Sequence, residues 1–197
     1  RQYLPMEGLP SYRSAVQKLI FGTECAALHE GRIVTMQSVG GTGALRIGGE
    51  LLQLASPNSE IWISNPGWDN HHAIFKGAGL KTHTYPYYDS ANGVLLFDDM
   101  KQAFQTMPEA SIVLLHPCCH NPTGADLSNA QWEEIANIIV ERKLIPFLDI
   151  AYQGFSNGLD EDAFVVRLMA SKNIPMLVAN SFSKNFSSKL SLFFGLR

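Results

Sequence analysis

The chain has 197 residues, 46% of them hydrophobic and 17% charged, with a formal net charge of −3. That is enough apolar material for a packed core and argues against a disordered chain. The charge shows no basic stripe, which argues against nucleic acid as a partner, and no apolar run reaches the roughly 20 residues of a membrane span.

The opening segment, Arg1-Gln-Tyr3-Leu-Pro5, has neither an initiator methionine nor a signal-peptide pattern, and it reads as the interior of a longer chain. Residues 10–21 read as a helix with Val16, Leu19 and Ile20 on its apolar side. Residues 42–55 read as a second helix, its buried side marked by Leu45, Ile47, Leu51 and Leu52. Glu60 to Ser64 is β-branched and aromatic and reads as a strand. Pro66-Gly67 breaks it, and residues 69–77 turn helical. Leu80 to Tyr85 is a further strand, Asp98 to Thr106 a short helix and Ser111 to His116 a strand. The next helix has a marked start, because Ser128 and Gln131 form a capping-box pattern and Trp132, Ile135, Ala136 and Ile139 recur at helical spacing. Leu144 to Asp149 reads as a strand, Asp160 to Ala170 as a helix and Met176 to Asn180 as a strand. This alternation predicts an α/β fold, a mainly parallel sheet with helices on both faces.

In such a sheet, ligands bind beyond the carboxyl ends of the strands. Four segments put polar groups there. Gly40-Gly-Thr42-Gly43 lies at the start of a helix, where free N–H groups and the helix dipole favour an anion. It is neither a Walker loop nor a dinucleotide fingerprint, since no Gly-Lys-Ser/Thr follows and Arg46 occupies the place of the third glycine. Pro117 to Gly124 follows one apolar run, and Asn121-Pro122 within it is also an ordinary turn signal. Asp149 closes a nearly all-apolar strand, so its carboxylate needs a partner; a protonated ring nitrogen, a helix cap or an ion pair would each serve. Tyr152 follows three residues on. Ser181-Phe-Ser183-Lys184-Asn185 follows the last strand, and a lysine among small hydroxyl residues can attack a carbonyl to form a Schiff base, although most lysines at strand ends are simply solvated. Trp68 is placed either to stack on a flat ring or to fill the core. The neighbours His71 and His72 point different ways on any regular element, so no metal site is expected there. The three cysteines, Cys25, Cys118 and Cys119, make a poor disulfide framework and read as reduced thiols of a cytoplasmic protein.

Taken together, His116-Pro-Cys-Cys-His-Asn-Pro-Thr-Gly124, Asp149-Ile-Ala-Tyr-Gln-Gly-Phe155 and Ser181-Phe-Ser-Lys-Asn185 resemble the class I aspartate and aromatic aminotransferases, which are fold type I pyridoxal 5′-phosphate (PLP) enzymes. The resemblance covers residues 3–186, and Tyr3-Leu-Pro-Met-Glu-Gly8 with Leu144-Ile-Pro-Phe-Leu-Asp149 looks most like the bacterial aromatic (tyrosine) branch. It implies a PLP-dependent aminotransferase exchanging an amino group between an aromatic or acidic amino acid and a 2-oxo acid such as 2-oxoglutarate, by a ping-pong mechanism. It further implies that Lys184 carries the cofactor as a Schiff base and shuttles the proton, and that Asp149 pairs with the pyridine nitrogen. Asn121 and Tyr152 would bond the phenolic oxygen, Trp68 would stack on the ring, and Gly41, Thr42, Ser181 and Ser183 would hold the phosphate. Tyr3 would reach the phosphate of a neighbouring subunit in a homodimer with shared active sites, and His71 would lie behind the cofactor.

Residues 1–186 then correspond to a partial PLP-binding large domain and residues 187–197 to an atypical tail, with the C-terminal small domain absent. Leu192 stands where the resemblance places a phosphate-clamping arginine, with Lys189 and Arg197 as the nearby cations. Two other readings stay open: a non-catalytic fragment of such an enzyme, and a lyase of the same fold.

Overall fold

The computed structural model describes residues 3–186 in full and the backbone of residues 190–196. It is built on a seven-stranded sheet whose strands are β1 (Ile33–Val39), β2 (Ile61–Asn65), β3 (Thr82–Pro86), β6 (Ile112–Leu115), β7 (Ile145–Ile150), β8 (Leu177–Ser181) and β9 (Leu190–Leu196). A separate two-stranded ribbon pairs β4 (Tyr88–Asp89) with β5 (Val94–Leu95). The order across the main sheet is β1-β9-β8-β7-β6-β2-β3. The pairings β8–β7, β7–β6, β6–β2 and β2–β3 are parallel, and β9 alone runs against its neighbours, antiparallel to β1 and β8. The sheet is therefore mainly parallel, as the strand–helix alternation implies.

Parallel strands must be covered on both faces, because their apolar side chains alternate to both sides. One face is covered by α1 (Pro10–Phe21), α5 (Phe97–Thr106), α6 (Asn129–Arg142) and α7 (Phe164–Ser171), which bring Ile20, Phe104, Ile135 and Met169 against Leu115, Leu148 and Val178. The other is covered by α3 (Gly40–Ala55) and α4 (Asn70–Gly77), with Leu45, Leu52 and Phe75 against Ile61, Ile63, Leu114 and Phe147. Each such side chain, wholly buried, contributes about 1.5–3 kcal/mol. A short α2 (Ala26–His29) leads into β1.

Most of the expected elements fall where the pattern puts them, and the α6 capping box forms in both directions: Gln131 N–H donates to Ser128 Oγ and Ser128 N–H donates to Gln131 Oε1. Three expectations need correction, and one strand was not foreseen. The glycine segment is the first turn of α3, two residues earlier than expected, since Gly40 at φ 67° lets the chain turn straight from β1 into the helix. Leu51 is 47% exposed, because the apolar stripe of α3 runs through Ala44, Leu45, Gly48 and Leu52 instead. The helix expected over residues 160–170 begins as a 3₁₀ turn, Glu161–Ala163, before α7. Finally, β1 had no expectation at all: its interior carries Thr35, Gln37 and Ser38, polar residues at odds with a buried strand.

Of the tail, residues 190–196 are a strand inside the sheet. There Leu192 lies in register with Gln37 on one side and Asn180 on the other. Lys189 and Arg197 lie outside the described residues.

Candidate active site

The carboxyl ends of β1, β2, β6, β7 and β8 open into one cavity of about 240 Å³. Its walls carry Gly41 and Thr42 from α3, Trp68 after β2, Asn121 after β6, Asp149 and Tyr152 from the end of β7, and Ser181, Ser183 and Lys184 after β8. With His71, which also lines it, ten residues singled out in the sequence thus meet in one place, although they span more than 140 positions. The exception is Tyr3, which is fully exposed and outside the cavity wall.

The anion end is built by α3 and the β8 loop. The N-cap residue of α3, Val39, makes no side-chain cap, so among the described residues the first-turn N–H groups of α3 lie at the cavity wall with no cap from it. Ser181 Oγ donates to Ser183 Oγ at 3.0 Å and accepts from Ser183 N–H at 3.3 Å, folding the loop back toward that helix end. A Cβ at Gly41 would stand 3.3 Å from Ser181 Cβ, so the glycine lets the helix start approach the β8 end closely.

The opposite wall is a carboxylate backed by imidazoles. His71 Nε2–H donates to Asp149 Oδ2 at 2.8 Å, with side-chain exposures of 0% and 10%. His71 also meets Trp68 edge to face, with ring centroids 5.1 Å apart. Its neighbour His72 turns the other way, to Thr82 Oγ1 at 3.1 Å, as expected for adjacent helical positions.

Behind His71 sits His116, whose Nδ1 accepts Asn121 N–H at 3.2 Å; that places its proton on Nε2, a buried atom with no partner among the described residues. Burial pushes the His116 pKa down to about 4, against the pull of the Asp149 carboxylate. His120, stacked on Tyr87 and bonded to Thr123 Oγ1 and Ser64 Oγ, is pushed down to about 3 by burial and by the two other imidazoles. Ligand atoms of His71, His116 and Asp149 lie within 4.8 Å of one another, a grouping that could ligate a metal; the His71–Asp149 hydrogen bond already explains two of its members.

Lys184 Nζ lies 5.9 Å from the centre of the Tyr152 ring, so amine and phenol face the same space. Asn185, next to Lys184, donates from Nδ2 to Gln153 O at 2.8 Å and ties the lysine loop to the tyrosine loop. The wall residues not foreseen as site members are Leu45, His116, Cys118, Cys119 and Ala151. His116 carried a readable signal, a histidine closing an apolar strand; the others carried none.

The cavity fits a flat, phosphorylated, nitrogenous ring. It offers a helix N-terminus with hydroxyls at one end, a histidine-held carboxylate at the other, an indole at the side and a primary amine over a phenol.

Comparison with known proteins identifies the family. The family model described as aminotransferase class I and II matches residues 1–189. The tyrosine aminotransferase of Klebsiella pneumoniae is 54% identical over 185 residues, covering 94% of this chain and 47% of that protein. The aspartate aminotransferase of Escherichia coli strain K12 is 41% identical over 186 residues, again with 47% of its length covered. Among solved structures, the aromatic amino acid aminotransferase of Burkholderia cenocepacia J2315 superposes with a TM-score of 0.97 at 52% identity, covering 100% of this chain and 50% of that one. The Burkholderia pseudomallei aromatic-amino-acid aminotransferase, covalently bound to pyridoxal phosphate, gives 0.97 at 44% identity, covering 100% of this chain and 50% of that one. The chain spans about half the length of the curated relatives it matches. It belongs to the class I and II aminotransferases.

Proposed function

We propose that this member of the class I and II aminotransferases binds PLP in the cavity at its strand ends and moves amino groups between an aromatic or acidic amino acid and a 2-oxo acid, in ping-pong fashion. The observation that carries the proposal is Lys184 and the His71–Asp149 pair facing one cavity that is also lined by the N-terminal turn of α3. The higher identity to a tyrosine aminotransferase, 54%, than to aspartate aminotransferases, 41–46%, favours aromatic substrates.

When bound, PLP supplies a carbonyl that takes up the amino group and a ring that accepts the electrons of the substrate's Cα–H bond. The rest falls to the chain's own residues. Lys184 holds the cofactor and later carries the proton away from the substrate carbon. Asp149, oriented by the His71 N–H behind it, would pair with the ring nitrogen. Asn121 and Tyr152 would donate to the ring oxygen, Trp68 would stack on the ring, and Gly41, Thr42, Ser181 and Ser183 would hold the phosphate at the positive end of α3, all of them residues of the cavity wall.

Residues 1–186 would then be the large-domain part of a longer enzyme, and the working unit a homodimer. Tyr3, Leu4 and Met6 at one end of the chain, with Val39 and Phe186 beside the cavity loops, are exposed apolar side chains that a second copy would cover. In that dimer Tyr3 would reach the neighbour's phosphate. Among the described residues no helix is long and apolar enough to cross a membrane, and the three cysteines are free; the cytoplasm is the proposed location.

The test is nitrogen transfer. The PLP-loaded chain is incubated with ¹⁵N-tyrosine or ¹⁵N-aspartate and 2-oxoglutarate, and label is sought in glutamate. Labelled glutamate supports the proposal. PLP on Lys184 with no labelled glutamate, even after hours, leaves a cofactor-binding fragment without transaminase activity.

A further inference from the structure

Two acidic residues outside the cavity wall each gather backbone N–H groups of a loop that forms it. Asp126 Oδ2 accepts Cys119 N–H at 2.7 Å and Oδ1 accepts His120 N–H at 2.8 Å. These are the two residues just before Asn121, and Cys119 sits at φ 51°, a left-handed conformation that costs a non-glycine residue about 1 kcal/mol or more. Asp162 is 3% exposed. Its Oδ2 accepts Gly154 N–H at 2.8 Å and Ser156 N–H at 3.1 Å, and its Oδ1 accepts Asn157 N–H at 2.9 Å. Those donors lie two, four and five residues after Tyr152.

The two loops are also joined to each other and to the lysine loop. Cys119 Sγ lies 3.9 Å from Tyr152 O as a weak donor, and Asn185 Nδ2 bonds Gln153 O at 2.8 Å. Charge-assisted bonds to a carboxylate are the stronger kind, and a buried carboxylate that lost them would be left uncompensated. Neither carboxylate caps a regular α-helix, and neither enters the proposed chemistry.

We propose that Asp126 and Asp162 are positioning residues: each fixes one of the two donors, Asn121 and Tyr152, at the place where both meet the cofactor's ring oxygen. The inference rests on the proposed PLP site and adds how that site is held. It assigns to each carboxylate a measurable effect on the bound cofactor, because hydrogen bonds to the ring oxygen favour its anionic form and lower the pH at which lysine-bound PLP changes its absorption band.

The experiment compares the full 197-residue chain with Asp162→Asn and Asp126→Asn. Hydrogen exchange without PLP reports the loops, and a spectrophotometric pH titration with PLP reports the donors. Asn puts an N–H₂ where a backbone donor needs an acceptor, so exchange at residues 154–157 or at 119 and 120 should accelerate by about tenfold or more. The absorption midpoint should move up by about half a pH unit or more, with PLP still attached to Lys184. Asp162 is deeply buried, so the less buried Asp126 provides the same comparison on the other loop if Asp162→Asn does not fold. Faster exchange with an unmoved midpoint overturns the proposal, since the carboxylates then shape loops without setting the donors. Failure of the unaltered chain to take PLP on Lys184 sinks the reading of the site, and this inference with it.

Discussion

His71 and Asp149, 78 positions apart in the chain, meet through one hydrogen bond of 2.8 Å, in which a fully buried imidazole orients a carboxylate at the cavity wall. The pair joins α4 on one face of the sheet to the end of β7, so fold and chemistry share a contact. His71 Nδ1 has no partner among the described residues, which leaves the Asp149 bond as the ring's one polar anchor there.

Asp149→Ala should therefore act in two ways. Leaving the buried imidazole N–H unpaired should lower stability by about 1–3 kcal/mol. Losing the carboxylate should leave PLP bound yet slow amino-group transfer by several powers of ten, each worth about 1.4 kcal/mol of barrier. Denaturant melts and single-turnover kinetics measure the two separately. An active variant would take Asp149 out of the mechanism, and an unfolded one would make its role structural.

Lys184 is the expected attachment point of the cofactor. Its amine faces the Tyr152 ring at 5.9 Å inside the cavity, whereas Lys18 and Lys172 lie on other parts of the surface. Borohydride reduction of the PLP-loaded chain followed by peptide mapping should tag Lys184 alone. Tags scattered over other lysines would show that the cavity does not select its amine.

Much of this was legible in the chain because two periodicities and four strand-end segments carry it. Trp132, Ile135, Ala136 and Ile139 mark a helix wherever they occur, and the structure buries all four. Asp149 and Lys184 stood out because a charge at the end of an apolar run is costly without a partner. The unread parts depend on contacts between distant segments. β1 holds its polar residues by bonds to α1: Gln17 Nε2 donates to Thr35 Oγ1 at 2.5 Å and Arg13 donates to Thr35 O at 3.2 Å. No local pattern announces those bonds. Asp126 and Asp162 likewise look like ordinary loop acids until the backbone donors around them are counted.

The buried histidines make stability pH-dependent. His116 is held down to about 4 and His120 to about 3, both chiefly by burial, against an ordinary value near 6.5. A depressed folded pKa means that the unfolded chain takes up protons first. Stability is therefore fully present above about pH 6.5 and falls on acidification, by up to about 1.4 kcal/mol per pH unit for each histidine. His120→Gln keeps hydrogen-bonding groups without a titrating ring. Urea midpoints at about pH 7.5 and 5.0 should fall less steeply in that variant than in the parent, by about one proton's worth. Equal slopes would remove His120 as an acid-sensitive group.

The close approach of α3 to β8 gives a steric test. In Gly41→Val the Cβ alone would stand 3.3 Å from Ser181 Cβ, before the two methyl groups are counted. The helix end must then retreat from the β8 loop, and the N–H groups aimed at the anion move with it. PLP affinity should fall by about tenfold or more, worth 1.4 kcal/mol, with a smaller loss for Gly41→Ala. Unchanged affinity in the valine variant would place the phosphate elsewhere.

The last expectation concerns what the cavity wall lacks. Among the described wall residues Lys184 is the single cation, and it is committed to the cofactor. An amino-acid substrate brings a carboxylate that in a fast enzyme is gripped by a planar, bidentate guanidinium, and that grip sets the geometry of the reacting carbon. The wall described here has no such group. The 197-residue chain should therefore turn over at least about a hundredfold more slowly than the ~10 per second of an ordinary enzyme. It should also discriminate poorly between tyrosine and tyramine, which differ by that carboxylate alone. Rates of cofactor conversion with the two amines, measured side by side, decide the matter. A preference for tyrosine above about tenfold, worth 1.4 kcal/mol of transition-state binding, would mean that a cation beyond the described wall completes the site.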